Sequence, residues 1–313
     1  KLREKSPIIA HILDYRELSK LLSTYIDAIP PQLDKSSRLH STFSQMGAVT
    51  GRMSSNNPNL QNIPNKTELG RAIRKAFVPE KGYKLVSLDY SQIELRLAAI
   101  FSQDKKLIEI FKKGEDVHKA VAEKIGIERR QAKVINFGIL YGMGVNALKA
   151  NLGTDRKEAQ EFYNEYFKTF TGLAQYLDQV KAETARRGYT ETLFGRRRYF
   201  SGFKSPLPFI RASAERMAIN APLQGTQADI IKIAMIRIDE HIKKEGYEND
   251  MRMILQVHDE LVFEVKNNLI GEAVKHFKKI MEEVLAPSVS RGVPIVAEAH
   301  AGDNWGEMQR VDL

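Results

Sequence analysis

Between residues 8 and 29 apolar positions recur at helical spacing, so residues 2–29 are predicted to form a helix that stops at Pro30 and Pro31. The polar patch LDKSSR follows and marks a boundary. The stretch STFSQMGAVTGRMSSNNPNLQNIP starts strand-like and passes into a loop rich in Ser, Asn and Pro. Residues 83–89 (YKLVSLD) have the apolar density of a buried strand. Helical patterns dominate from 92 to 187. Residues 190–193 form a candidate short strand ahead of the basic turn FGRRRY. Residues 207–244 predict one long helix with a break or kink near Pro222 and Gly225. Residues 251–265 alternate like a β-hairpin, and a helix (269–285) and a last strand (293–299) close the chain. No internal repeat or low-complexity tract interrupts this order. Strands, then a long helical stretch, then strands again predict an α+β fold: a sheet domain interrupted by a helical one.

Composition narrows the class. The chain has 313 residues, of which 42 % are hydrophobic and 28 % charged, enough for a sizeable core under a solvated surface. Net charge is +9, which favours an anionic partner, and nucleic acid is the commonest large one. With no cysteine, disulfides and thiolate metal sites are excluded. No stretch approaches the ~20 apolar residues of a membrane span, and the first residues lack the apolar run of a signal peptide. A first residue that is Lys and not Met suggests a fragment or a processed product.

Two carboxylates carry candidate chemistry. Asp89 closes the 83–89 strand, and helix-like sequence follows at once. Asp259 lies in RMILQVHDELVFEV, where two apolar half-strands meet at His258, Asp259 and Glu260. Tight hairpins favour Asn-Gly or Asp-Gly at the tip. A tip with acids and no Gly ignores that preference, as functional turns do. Two aspartates on adjacent strands can hold two divalent ions, one activating a hydroxyl and the other steadying a leaving pyrophosphate. Carboxylate oxygens suit Mg²⁺, with Mn²⁺ as a substitute. A lone Asp at a strand end is more often an ordinary turn acid, so the case depends on company. The segment RRQAKVINFGILYG supplies it. Arg129, Lys133, Phe137 and Tyr141 recur every four residues, drifting about 40° per step along one helical stripe. Two cations can bind a triphosphate, and two aromatics can stack on a base and sugar. Gly138 beside Phe137 leaves room for close approach. The alternative is an amphipathic helix with a basic edge.

These segments together resemble family A DNA polymerases, the bacterial DNA polymerase I type. DYSQIELR (89–96) and QVHDELVFE (256–264) resemble the family's two catalytic segments, and RRQAKVINFGILYG (129–142) its nucleotide-binding helix. TGRMSSNNPNLQNIP (50–64) and ERMAINAPLQGTQAD (215–229) are similar to its template-primer segments. The resemblance covers the whole chain. It implies a right-hand fold, with a palm of antiparallel sheet and helices at 36–107 and 207–313, and an inserted helical fingers domain at 108–206. Residues 1–35 then represent only the last helix of a thumb that is largely absent, and the family's exonuclease-type and nuclease domains are expected to be missing.

Residue by residue, the resemblance implies that Asp89 and Asp259 bind two Mg²⁺ ions, with the Tyr90 carbonyl as a further ligand and Glu260 as a nearby acid. Arg129, Lys133 and His118 match the triphosphate binders, and Phe137 and Tyr141 the aromatics beside the incoming nucleotide. Glu94 matches the residue that crowds the sugar 2′ position. Arg52, Asn220, Gln224 and His258 match contacts to the primer-template end. The connection from His118 to Arg129 is shorter than the family pattern leads one to expect. The implied activity is template-directed addition of deoxynucleoside triphosphates to a primer in replication or repair, by a monomer working in the cytoplasm at the bacterial nucleoid. A single-subunit RNA polymerase is the rival enzyme reading, opposed by Glu94, Phe137 and the 50–64 string. An inactive DNA-binding module is the rival from another class, opposed by the presence of both aspartates and Lys133. Trp305 is expected to pack, and His11, His40, His241 and His276 to lie at the surface.

Overall fold

The computed structural model describes residues 6–65 and 67–312, so the first residues of the expected 2–29 helix lie outside it. In chain order come α1 (Pro7–Leu21), a ribbon of β1 (Thr42–Ser44) and β2 (Ser54–Asn56), α2 (Glu68–Lys75) and β3 (Tyr83–Tyr90). Seven helices follow: α3 (Ile93–Ser102), α4 (Lys105–Lys112), α5 (Val117–Ile125), α6 (Arg129–Leu140), α7 (Val145–Leu152), α8 (Arg156–Thr169) and α9 (Thr171–Arg187). Then come β4 (Tyr189–Glu191), β5 (Arg197–Tyr199), α10 (Pro208–Lys244), β6 (Met251–Val257), β7 (Glu260–Lys266), α11 (Ile270–Glu282), α12 (Pro287–Ser290), β8 (Ala297–Gly302) and β9 (Gln309–Arg310). None of the helices among the described residues is long and apolar enough to cross a membrane.

The principal sheet has the order β6-β7-β3-β8-β9 and is antiparallel throughout. Its middle strand, β3, is the one that leads into the helical insertion, and both its neighbours come from the far end of the chain. Leu85, Val86, Ser87 and Leu88 are buried in succession because both faces of the sheet are covered. On one face Val86, Leu88, Leu261, Phe263 and Ala299 join a core with Val274, Phe277 and Met281 of α11, where the Phe263 and Phe277 rings meet at 4.6 Å. On the other, Leu85, Val257, Val262 and Trp305 pack with Leu21, Tyr25, Leu60 and Ile63. Trp305 therefore packs as expected, with Phe77 edge-on and the Arg74 guanidinium 4.1 Å over its ring. Every residue of α3 from Ile93 to Ile100 is buried, the mark of a helix enclosed on all sides.

Several expectations need correction. The 2–29 helix ends as an α-helix at Leu21 and continues as a π turn, Leu22–Ile26. Ser23 Oγ donates to the Ser19 carbonyl at 2.8 Å there, a side chain competing for helix acceptors. No break divides the long helix: α10 runs unbroken for 37 residues, roughly 55 Å along its path, with Pro222 inside it. Ala218, Ala221, Pro222, Leu223 and Gly225 are all buried, and that packing holds the helix across the hydrogen bond Pro222 cannot make. FGRRRY is only partly a turn, since Arg197–Tyr199 forms β5 and pairs with β4. The last strand starts at Ala297, not 293, and β9 adds an edge. Proline's missing donor at 294 suits that delay, and the Pro294 carbonyl instead accepts from Arg96 at 2.7 Å. His241 and His276 are half-buried, with rings stacked at 4.8 Å, because α10 and α11 pack together. The boundary expected at 107/108 falls within α4.

Candidate active site

Asp89, the penultimate residue of β3, stands opposite Glu260 on one side and Glu298 on the other. Residues directly opposite in an antiparallel sheet share a face, so three carboxylates lie in one row. The Tyr90 amide donates to the Asp259 carbonyl at 3.2 Å and ties the β6–β7 turn to the end of β3. Protein around the exposed Asp89 side chain strips water from its carboxyl, and the charges of Asp259, Glu260 and Glu298 add to the effect; together they lift its pKa to about 7. Burial and the Glu94 charge lift Asp259 to about 6, against the pull of Arg52. Burial also raises Glu260, opposed by the Arg74 guanidinium and a bond from Ser87.

The turn that presents Asp259 is unusual. His258 sits at φ 55°, a left-handed conformation that costs a residue with a Cβ about 1–2 kcal/mol. Gln92, three residues after Asp89, sits at φ 54°. Four other non-glycine residues, Ser37, Asn57, Gln103 and Arg291, share this conformation outside the site. Gln256 Nε2 donates to the His258 carbonyl at 2.6 Å, and Gln61 Nε2 donates to Gln256 Oε1 at 2.9 Å, bracing the turn. Burial and the charges of Arg52 and Arg74 depress the His258 pKa and favour its neutral ring.

α6 presents the cationic and aromatic stripe. Arg129 and Lys133 are exposed, Phe137 is half-buried, and Tyr141 caps the helix end. Tyr141 Oη donates to Glu94 Oε2 at 2.7 Å. Burial and Glu94 push the phenol pKa above its ordinary value, so at neutral pH it stays a donor. Arg52 Nη2 donates to Glu94 Oε1 at 2.9 Å. The His118 ring lies 5.6 Å from Phe137, with the Asn136 amide 2.9 Å from its Nδ1. Burial lowers the His118 pKa, with Lys133 and Arg129 adding to the shift and Asp116 opposing it. The room expected beside Gly138 is taken up within the fold, since a Cβ there would meet Met143 Sδ at 2.9 Å.

Not every expected residue converges. Arg129 is drawn aside to Asp116, with Nε at 2.8 Å and Nη2 at 2.7 Å from Asp116 Oδ2. Asp116 also caps α5 through the amides of His118 and Lys119. Asn220 and Gln224 are half-buried one turn apart on α10, and Asn220 Oδ1 has no hydrogen-bond partner. Asp116, Gln227 and Glu298 escaped the sequence reading. Asp116 had a signal, a capping residue before a helical run, whereas Gln227 lies inside the 215–229 segment with no local signal that sets it apart from its neighbours.

Among the described residues no three His, Cys, Asp or Glu side chains converge as a ready-made metal cage. Two hard-oxygen carboxylates that repel each other do fit divalent cations, whose charge would relieve that repulsion.

A family model for DNA polymerase family A matches residues 1–307. The chain belongs to DNA polymerase family A. It is 44 % identical over 306 residues to DNA polymerase I of Pseudomonas aeruginosa, which covers 95 % of this chain and 33 % of that protein. It is 44 % identical over 314 residues to the thermostable DNA polymerase I of Thermus aquaticus, covering 97 % and 37 %. The chain thus spans about a third of the length of these curated relatives. Among solved structures, the POL domain of Pol1 from M. smegmatis, in complex with DNA primer-template and dNTP, superposes with TM-score 0.91 at 40 % identity over 97 % of this chain and 54 % of that one. The α+β architecture is therefore that of a family A polymerase domain.

Proposed function

We propose that the chain is a template-directed DNA polymerase unit that joins deoxynucleoside triphosphates to a primer 3′ end and releases pyrophosphate, in replication or repair. The observation that carries the reading is the placing of Asp89 at the end of the middle strand beside the turn that bears Asp259, joined by the bond from the Tyr90 amide to the Asp259 carbonyl, in a chain that belongs to family A. In this reading the antiparallel sheet is the palm and the inserted helices are the fingers. Asp89, Asp259 and the Tyr90 carbonyl hold Mg²⁺, for which Mn²⁺ can substitute. Bound there, the cations would make the primer hydroxyl acidic and balance charge on the leaving pyrophosphate.

The chain's own residues do the rest. Lys133 neutralises and orients the triphosphate with His118 beside it, and Arg129 joins them where the phosphate draws it from Asp116. Phe137 and Tyr141 flank the incoming base and sugar. Glu94, held from two sides by Tyr141 and Arg52, fills the space a ribose 2′-hydroxyl needs. Arg52, Asn220, Gln224 and His258 meet the primer-template end, and Glu260 adds acidity near the metals. The same reading puts the protein in the cytoplasm, at the nucleoid. The test is to incubate it with primed DNA and Mg²⁺, supplying deoxy- or ribonucleotides. Templated extension with deoxynucleotides alone is the expected result. No extension, or extension preferring ribonucleotides, overturns the reading.

A further inference from the structure

Arg52, proposed for the primer-template end, joins two helices through one guanidinium nitrogen. Its Nη2 donates to Glu94 Oε1 on α3 at 2.9 Å and to Gln227 Oε1 on α10 at 2.7 Å. A terminal guanidinium nitrogen has two hydrogens, so Nη2 is fully committed. Arg52 Nε is buried without a hydrogen-bond partner, while about a third of the side chain stays exposed. Gln227 is 2 % exposed, with no surface role. It lies in the wall of a cavity of about 20 Å³ shared with Arg52, Gln61, Gln256 and His258, so it borders two of the residues proposed to meet the primer end.

The approach of these elements is built in. At Gly225, two residues before Gln227, an added Cβ would meet Thr192 Cγ2 at 2.6 Å and the Thr50 carbonyl at 3.3 Å. The backbone just before Arg52 therefore rests directly on α10, which brings Arg52 within reach of Gln227. One turn of α10 is the seat for a loop that would otherwise place Arg52 loosely.

We infer that Gln227 is a positioning residue: it fixes the plane of the Arg52 guanidinium against Glu94 and so holds the solvent-facing part of the Arg52 side chain towards the primer end. The inference rests on the polymerase reading above. An amide oxygen accepting from a guanidinium is a charge-assisted bond, and the planar fork of Arg transmits its direction. With Gln227 gone, Arg52 keeps only Glu94 and can turn about that single bond. The consequence falls on the rate with a bound, matched primer and not on nucleotide affinity, because Gln227 touches neither phosphate-binding cation.

The experiment is a double-mutant cycle on the full chain with primed DNA, Mg²⁺ and deoxynucleotides. Gln227→Leu removes the acceptor at similar volume. It should lower kcat about tenfold while the nucleotide KM moves less than about twofold. Gln227→Glu keeps an oxygen at the same reach and should recover most of the lost rate. In an Arg52→Ala background, Gln227→Leu should cost less than about twofold more, because its partner is already absent. Gln227→Ala, which empties the site where Leu fills it, should repeat the pattern, and thermal unfolding of each variant reports its fold. Wild-type rates in Gln227→Leu overturn the inference. So does an equal loss with and without Arg52, which would mark Gln227 as ordinary packing. A wild-type chain that extends no primer sinks the polymerase reading and this inference together, whereas normal wild-type extension beside an indifferent Gln227→Leu sinks this inference alone.

Discussion

Asp89 and Asp259 are strained by their surroundings: both carboxyls are lifted towards neutrality, each partly by charges of the same sign. A group that binds the folded state and not the unfolded one stabilises it by mass action. Millimolar Mg²⁺ should therefore raise the melting temperature of the wild-type chain and leave that of an Asp89→Asn, Asp259→Asn double variant unmoved, as read by calorimetry. Each single Asn variant should lose on the order of a hundredfold or more in primer extension while still binding primer-template DNA. Near-normal extension by either removes it from the catalytic role. Glu94 is a second residue whose neighbours define it, since Tyr141 and Arg52 occupy its two oxygens. Glu94→Ala should raise the ratio of ribo- to deoxynucleotide efficiency at least about tenfold in single-nucleotide kinetics, because an unpaired or clashing polar group is what gives strong rejection. An unchanged ratio places the sugar gate elsewhere.

At the scale of elements, α6 stands out because its start is braced from two directions. Gln131 Oε1 accepts from the Glu128 amide at 3.0 Å, and Asp116 at the head of α5 grips Arg129. That bracing makes the short connection between α5 and α6 workable. It also leaves Lys133 as the cation of the stripe that is exposed without so close a carboxylate clamp. Lys133→Ala should raise the deoxynucleotide KM about tenfold or more and change primer-template affinity less than about twofold. The opposite pattern, weak DNA binding with a normal KM, would assign this helix face to DNA. β7 carries the other notable clamp. Glu264 is 1 % exposed, accepts two bonds from Arg38 at 3.2 Å each and one from Arg252 at 3.1 Å, and takes the Glu80 amide at 2.8 Å. Burial alone would raise its pKa, but these donors outweigh it and hold it below the ordinary value. The sign follows for an acid with a depressed folded pKa. Its stabilisation is complete above the unfolded value of about 4.3 and drains away as pH falls through the lower folded value. Glu264→Gln should cost about 2–3 kcal/mol near pH 7, with the gap to wild type closing in strong acid. Denaturant titrations at several pH values check this, and a gap independent of pH would refute it.

For the whole molecule, the +9 charge sits on a chain whose sheet centre is acidic, so the excess cation lies outside the carboxylate row. Phosphate contacts release counterions on binding, and each one steepens the fall of affinity with salt. Primer-template affinity, measured by fluorescence anisotropy, should fall at least about tenfold between 50 and 200 mM salt. A flat profile would mean that charge does not hold the duplex.

What residue order determined alone is local. The apolar run of 83–89 and the alternation of 251–265 were readable as strands because period and burial are written in neighbouring side chains. The four-residue repeat from Arg129 to Tyr141 likewise put cations and aromatics on one helix face. The site residues were nameable from contiguous motifs by their resemblance to family A. Tertiary structure decided what depends on distant partners. α10 continues through Pro222 because surrounding side chains bury that turn, a context that the local proline rule cannot include. The last strand begins at Ala297 because its register is set by β3, more than two hundred residues earlier in the chain. Arg129 turns to Asp116, and Arg52 is shared between Glu94 and Gln227, because these groups meet only after folding. Hydrogen bonds between remote side chains leave no period in the sequence, which is why Gln227 was silent until α10 came to rest against the loop that carries Arg52.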